Sequence, residues 1–177
     1  MTLIVEDGTR KPDAEAYCSV AFADAWHLSR GMTTWATMSE AEKEAAIRRA
    51  THFMLQAYRL RWHGWRATST QALDWPRVDV PIADGPAENG LYDDDVVPIE
   101  VQQANAELAF KAASGDLMPD VDKSSAVKRE QVDVIEVEYR DNAPLTTRYQ
   151  SVEDLLAVLL KTRNGASGGG SMSVVRA

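Results

Sequence analysis

Residues 38–60 read MSEAEKEAAIRRATHFMLQAYRL, and this stretch decides what kind of fold the chain can build. Ser39 followed three positions later by Glu42 is a capping box, in which two side chains satisfy orphan amides at a helix start. The helix is therefore predicted to begin at Glu40. Ile47, Ala50, Met54 and Ala57 recur at helical spacing, and Ala46, Phe53 and Tyr58 broaden that stripe. Glu44 and Arg48 form an i, i+4 pair on the opposite face. A stripe this wide must be covered, so other helices are expected around it.

Two flanking segments supply them. Upstream, SVAFADAWHLSRG (19–31) places Phe22, Ala25, Trp26 and Ser29 at i, i+3, i+4 and i+7, with Ser19 as cap and Gly31 as stop. Downstream, Pro98 suits a first helical position and Glu100 complements the helix dipole. The helix that follows runs to Gly115, with Val101, Ala104, Leu108 and Ala112 on one face and Ala106, Phe110 and Ala113 on another. So many alanines permit close approach, which predicts a central place in the core.

A fourth helix is predicted from Ser151, whose partner Asp154 completes a cap-like pattern, to the basic residues Lys161 and Arg163. Leu155, Leu156 and Leu159, with Val152, Val158 and Leu160, cover most of its circumference, so burial on more than one side is expected, a neighbouring subunit being one candidate cover. Two segments read as strands. LIVEDGT (3–9) ends in an Asp-Gly turn, and Ile135, Val137 and Tyr139 alternate with Glu136 and Glu138. Val132 and Val134 have the opposite parity, which predicts a break near Val134. The strand at 132–140 is expected to pair with residues 3–7 or across a subunit boundary. The predicted fold is thus mainly α, in the α+β class: about four helices, a short antiparallel strand element and a long acidic loop over 78–97. One domain is expected over 1–163, followed by a glycine- and serine-rich tail over 164–177.

Between the second and third predicted helices lies RLRWHGWRATSTQALDWPR (59–77), which holds three of the five tryptophans. Gly64 and Pro76 interrupt it, predicting irregular backbone with one short helical turn near STQALDW. Arg59, Arg61, Trp62, Trp65 and Arg66 interleave cations with indoles, as a single-stranded nucleic-acid platform does. The same residues also suit a structural role, with Trp62, Trp65 and Trp75 filling the gap between helices while Arg66 and Arg77 lie on rings or pair with carboxylates. The charge decides between them at this level. Nineteen basic residues face 27 acidic ones, a net charge of −8, whereas affinity for nucleic acid comes largely from phosphate neutralisation. The structural reading is therefore the expectation.

No catalytic constellation is visible, and the chain is expected not to be an enzyme. His27, His52 and His63 are not spaced as helix ligands of a metal. Asp93, Asp94 and Asp95 lack the alternation of a calcium loop, and GASGGG lacks the lysine of a phosphate-binding loop. Neither a metal nor a cofactor is expected. Cys18 stands alone and reads as a buried small hydrophobe. The N-terminus has no secretion signal and no apolar run suits a membrane, so a cytosolic setting without membrane partners is expected.

The ordered blocks LIVEDGT, YCSVAFADAW, WATMSEAEKEAAIRRAT, RLRWHGWRATSTQALDWPR, VPIEVQQANAELAFKAASGDLMPD and VKREQVDVIEVEY span about residues 3–160. Together they resemble the bacteriophage family of DnaT-like single-stranded-DNA-binding proteins. The resemblance is carried by Trp65, Arg66, Gln71, Ala72, Leu73, Trp75, Pro76 and Arg77, and by Glu136 to Tyr139. It departs at the acidic stretch around Asp93 and in the tail after Leu160. That family looks like the head-to-tail connector, or adaptor, proteins of tailed phages. The resemblance thus implies a structural virion protein of the neck, assembled in the host cytoplasm, that forms a ring, twelve-fold by that likeness, below the portal protein. Its partners would be the portal and the tail, stopper or neck proteins, with DNA only in passage, and net negative charge would keep that DNA from adhering. The alternative is a single-stranded-DNA-binding accessory protein of phage replication.

Overall fold

The computed structural model describes residues 2–82, 90–119, 129–132, 135–138 and 148–162. The 164–177 tail, the interior of the acidic loop at 83–89, and the positions of Val134 and Tyr139 lie outside the described residues. The chain is mixed α+β and mainly helical, as predicted. Among the described residues, helices α1 (Val20–Leu28), α2 (Thr33–Ala36), α3 (Glu40–Tyr58), α4 (Ile99–Ser114) and α5 (Gln150–Leu155) accompany two small antiparallel ladders. These are β1 (Trp65–Arg66) with β2 (Arg77–Val78), and β3 (Arg129–Val132) with β4 (Ile135–Glu138).

Helix α3 starts where its capping box requires. The Ser39 hydroxyl accepts from Glu42 N, and the Glu42 carboxylate accepts from Ser39 N at 2.8 Å. Its buried stripe, Ala46, Ile47, Ala50 and Met54, packs on α4 through Val101, Ala104, Leu108 and Ala112, all fully enclosed. Small side chains along α4 let the two backbones approach, and α1 and α5 close over the same helix. Asn105 of α4 is fully buried and satisfied on three sides. Its Oδ1 accepts from Tyr17 N and Cys18 Sγ, each at 3.3 Å, and its Nδ2 donates to Thr51 Oγ1 at 3.0 Å. Helix α1 carries the Ser19 cap. Pro98 sits one place earlier than predicted, as the N-cap of α4.

Four expectations are corrected. Helix α2 has four residues, too few for a periodic pattern, and was not predicted. The C-terminal helix ends at Leu155 and gives way to turns, so it is much shorter than its apolar content suggested; Leu156 and Leu159 are enclosed by the chain's own core and Leu155 is half-buried. No helical turn forms near STQALDW, where the chain instead bends back to pair β2 with β1. Finally, β4 pairs with β3, Val132 facing Ile135, and not with residues 3–7. Two residues separate β3 from β4, so their closure demands little chain entropy. Residues near Val5 are already engaged, forming a parallel bridge to Ala16.

The N-terminal turn is organised by Glu6, a buried carboxylate that accepts from Gly8 N, Arg10 N and Lys11 N at 2.8–2.9 Å. Gly8 has φ 102° and lies on the Asp95 backbone, where a side chain would not fit. Arg10 reaches across to Asp94 at 3.1 Å. The acidic run is thereby docked on this turn. The two ends of its loop also meet, Tyr92 N donating to Val80 O and Ile82 N to Gly90 O, both at 2.9 Å. Among the described residues no helix is long and apolar enough to cross a membrane.

Candidate nucleic-acid interface

Helix α3 ends at Tyr58, and the next five residues turn the chain through the site. Residues 61–63 run antiparallel to 159–161: His63 N donates to Leu159 O at 3.1 Å, Lys161 N to Arg61 O at 2.7 Å, and Trp62 bridges Leu160. Gly64, at φ 62°, then passes so close to the Val78 carbonyl that only glycine fits. Strand β1 follows and pairs with β2, Trp65 opposite Val78 and Arg66 opposite Arg77.

This route sorts the tryptophans. Trp62 is 1 % exposed and Trp75 is 0 % exposed. Their rings meet edge to face at 5.7 Å in a chain of aromatics that continues from Trp62 to Tyr58 at 5.9 Å and from Trp75 to Tyr92 at 6.4 Å. Trp65, by contrast, is 69 % exposed, and beside it Leu60 is 92 % exposed. The Lys161 ammonium stands 5.9 Å from the Trp65 ring centroid.

The arginines divide similarly. Arg77 is buried and staples the loop, its Nε donating to His63 O at 2.7 Å, Nη1 to Asp74 O at 3.1 Å and Nη2 to Gly64 O at 2.8 Å. Arg61 pairs with Glu153 at 3.1 Å and lies 5.6 Å from the Tyr58 ring. Arg59 has a 49 % exposed side chain whose Nε donates at 2.9 Å to Asp74 Oδ1, on a side chain only 1 % exposed. Burial raises the Asp74 pKa above the usual carboxylate range, against the opposing pull of Arg59. Arg66 is exposed, with one bond to the Gln71 carbonyl at 3.3 Å. Among the described residues no carboxylate forms an ion pair with Arg66 or Lys161.

An exposed indole and leucine, flanked by Arg59, Arg66 and Lys161, therefore rim a cleft of about 290 Å³ floored by Trp62, Asp74 and Arg77. Such a face offers a base a flat ring to stack on and offers phosphates cations beside it. A family model described as "Putative DnaT-like ssDNA binding protein" matches residues 1–177. The chain belongs to that family. No curated protein and no solved structure matches it. For this DnaT-like chain the connector expectation is overturned: the family is described by single-stranded-DNA binding, the alternative reading, and nothing links it to a portal, a neck or a tail. A neighbouring subunit is also not required to cover the C-terminal leucines, since Leu156 and Leu159 are enclosed within the chain.

Sequence reasoning missed Leu60, Asp74 and Lys161. Lys161 joins Trp65 only because residues 159–161 pair with 61–63, a contact with no periodic signature. His27 is buried in α1 with Nε2 donating to Ala106 O at 3.0 Å, His52 is exposed on α3, and His63 is half-buried. Among the described residues no three His, Cys, Asp or Glu side chains cluster as metal ligands. Burial pushes the Cys18 thiol up to about 12, so it carries little thiolate at neutral pH.

Proposed function

We propose that the protein binds single-stranded DNA, without catalysing a reaction on it, through the face formed by Leu60, Trp65, Arg66, Arg59 and Lys161. One observation carries this reading: a tryptophan left 69 % exposed between cations, in a chain that buries its neighbours Trp62 and Trp75. The fold encloses those two indoles and leaves most of the third in water, its ring contacted by the Lys161 ammonium. Stacking on such a ring contributes about 1–3 kcal/mol per base and tolerates any sequence. Family membership supports the same reading.

The net charge of −8 restricts attraction to this face, so binding is moderate in affinity and sensitive to salt. The test is titration of a fluorescent single-stranded oligonucleotide with the intact protein and with Trp65→Ala. The substitution is expected to weaken binding by about 5- to 150-fold, the equivalent of one lost stack, while far-ultraviolet circular dichroism stays unchanged. Equal affinities for the two proteins would overturn the assignment.

A further inference from the structure

Two residues lining the cleft beside Trp65 each carry a buried polar atom without a closed hydrogen bond, Asp74 Oδ2 and Trp62 Nε1. The Trp62 N–H interacts with the Asp74 carboxyl and favours its ionised form, a weak pairing that falls short of full hydrogen-bond geometry. Each such orphan costs about 1–3 kcal/mol in a folded protein. Arg59, which also lines the cleft, is a half-exposed side chain attached through one contact to Asp74 Oδ1. Arg77 stays beside Asp74 through its carbonyl bond, so positive charge remains near the carboxylate when Arg59 turns outward to a phosphate.

We infer that this cleft is a base-edge subsite in which Asp74 accepts from an exocyclic amino group while Trp62 Nε1 donates to the ring nitrogen beside it. This inference rests on the single-stranded-DNA reading above and adds a preference to it. Cytosine and adenine present that amino donor next to a ring acceptor, and a carboxylate taking a hydrogen bond from cytosine N4 is an established mode of base readout. Thymine presents a carbonyl oxygen where the amino group stands, which places acceptor against carboxylate. The base would stack on Trp65 as its edge enters, and Arg59 would exchange Asp74 for the backbone.

The experiment compares oligo-dC with oligo-dT of equal length, two pyrimidines of similar stacking strength, against the intact protein. Oligo-dC is expected to bind at least about 5-fold tighter, the lower end for one base-edge contact. Asp74→Asn, whose amide can donate as well as accept, is expected to erase the difference between the two strands. A third probe leaves the protein untouched: oligo-dC carrying two methyl groups on N4 has no amino donor and is expected to bind no better than oligo-dT. Equal binding of oligo-dC and oligo-dT, or undiminished binding of the dimethylated strand, overturns the subsite and leaves general DNA binding standing. Failure of every oligonucleotide to bind overturns the function itself, so the two failures are distinguishable.

Discussion

Single side chains at this site owe their roles to their surroundings more than to their type. Arg66 and Arg77 face each other across two paired strands, yet one is exposed and the other donates to three backbone carbonyls. Lysine cannot reproduce that fork, so Arg77→Lys is expected to destabilise the protein by about 2–4 kcal/mol, one or two lost charge-assisted bonds, measured by urea unfolding. His27 gives a second test. Burial lowers its pKa below the ordinary 6.5, so the folded state favours the neutral ring. The contribution is complete above 6.5 and is lost as pH falls through the depressed folded value, because the unfolded chain takes up the proton first. The melting temperature is therefore expected to decline below about pH 6.5, where exposed carboxylates are still ionised. His27→Gln should flatten that decline.

At the scale of elements, α3 and α4 form the frame that holds the interface at one end. Ala104, Ala109 and Ala112 are fully enclosed, and their small side chains make the approach close. Ala109→Leu is expected to cost about 1–3 kcal/mol by overpacking, read as a lowered denaturation midpoint with an unchanged slope. The two ends of α3 differed in how far the sequence foretold them. Its start is a contact between residues three apart, legible in any window that contains Ser39 and Glu42. Beyond its end, Gly64 and Pro76 announced irregular backbone but not the β1–β2 pairing, because two-residue strands carry no alternation to read. The apolar run after Ser151 misled for a related reason: Leu156, Leu159 and Leu160 are buried, but by a chain that has already left the helix and lies along residues 61–63.

For the whole molecule, charge and affinity pull in opposite directions. A chain at −8 repels DNA everywhere except where cations outnumber carboxylates, and the Trp65 face has Arg59, Arg66 and Lys161 against Asp74. Three phosphate contacts on a single strand imply that log K falls with log salt at a slope of about −2. Titrations from low to moderate salt are expected to give that slope, and Lys161→Ala to reduce its magnitude by about 0.7. A slope near zero would mean that these cations do not meet phosphates.

What the sequence determined by itself was local: the capped start of α3, the alanine-rich face of α4, the helical class of the fold and the meeting of indoles with arginines in one stretch. These are set by contacts a few residues apart, where backbone geometry leaves few choices. Which indole would face water was decided by tertiary structure alone. Trp62, Trp65 and Trp75 are the same residue within one short segment, and only the pairing of 61–63 with 159–161, the close pass of Gly64 and the staple of Arg77 turn two of them inward and leave Trp65 beside Lys161. Contacts between residues so far apart leave no periodic trace in the chain, because their energy depends on the packed whole.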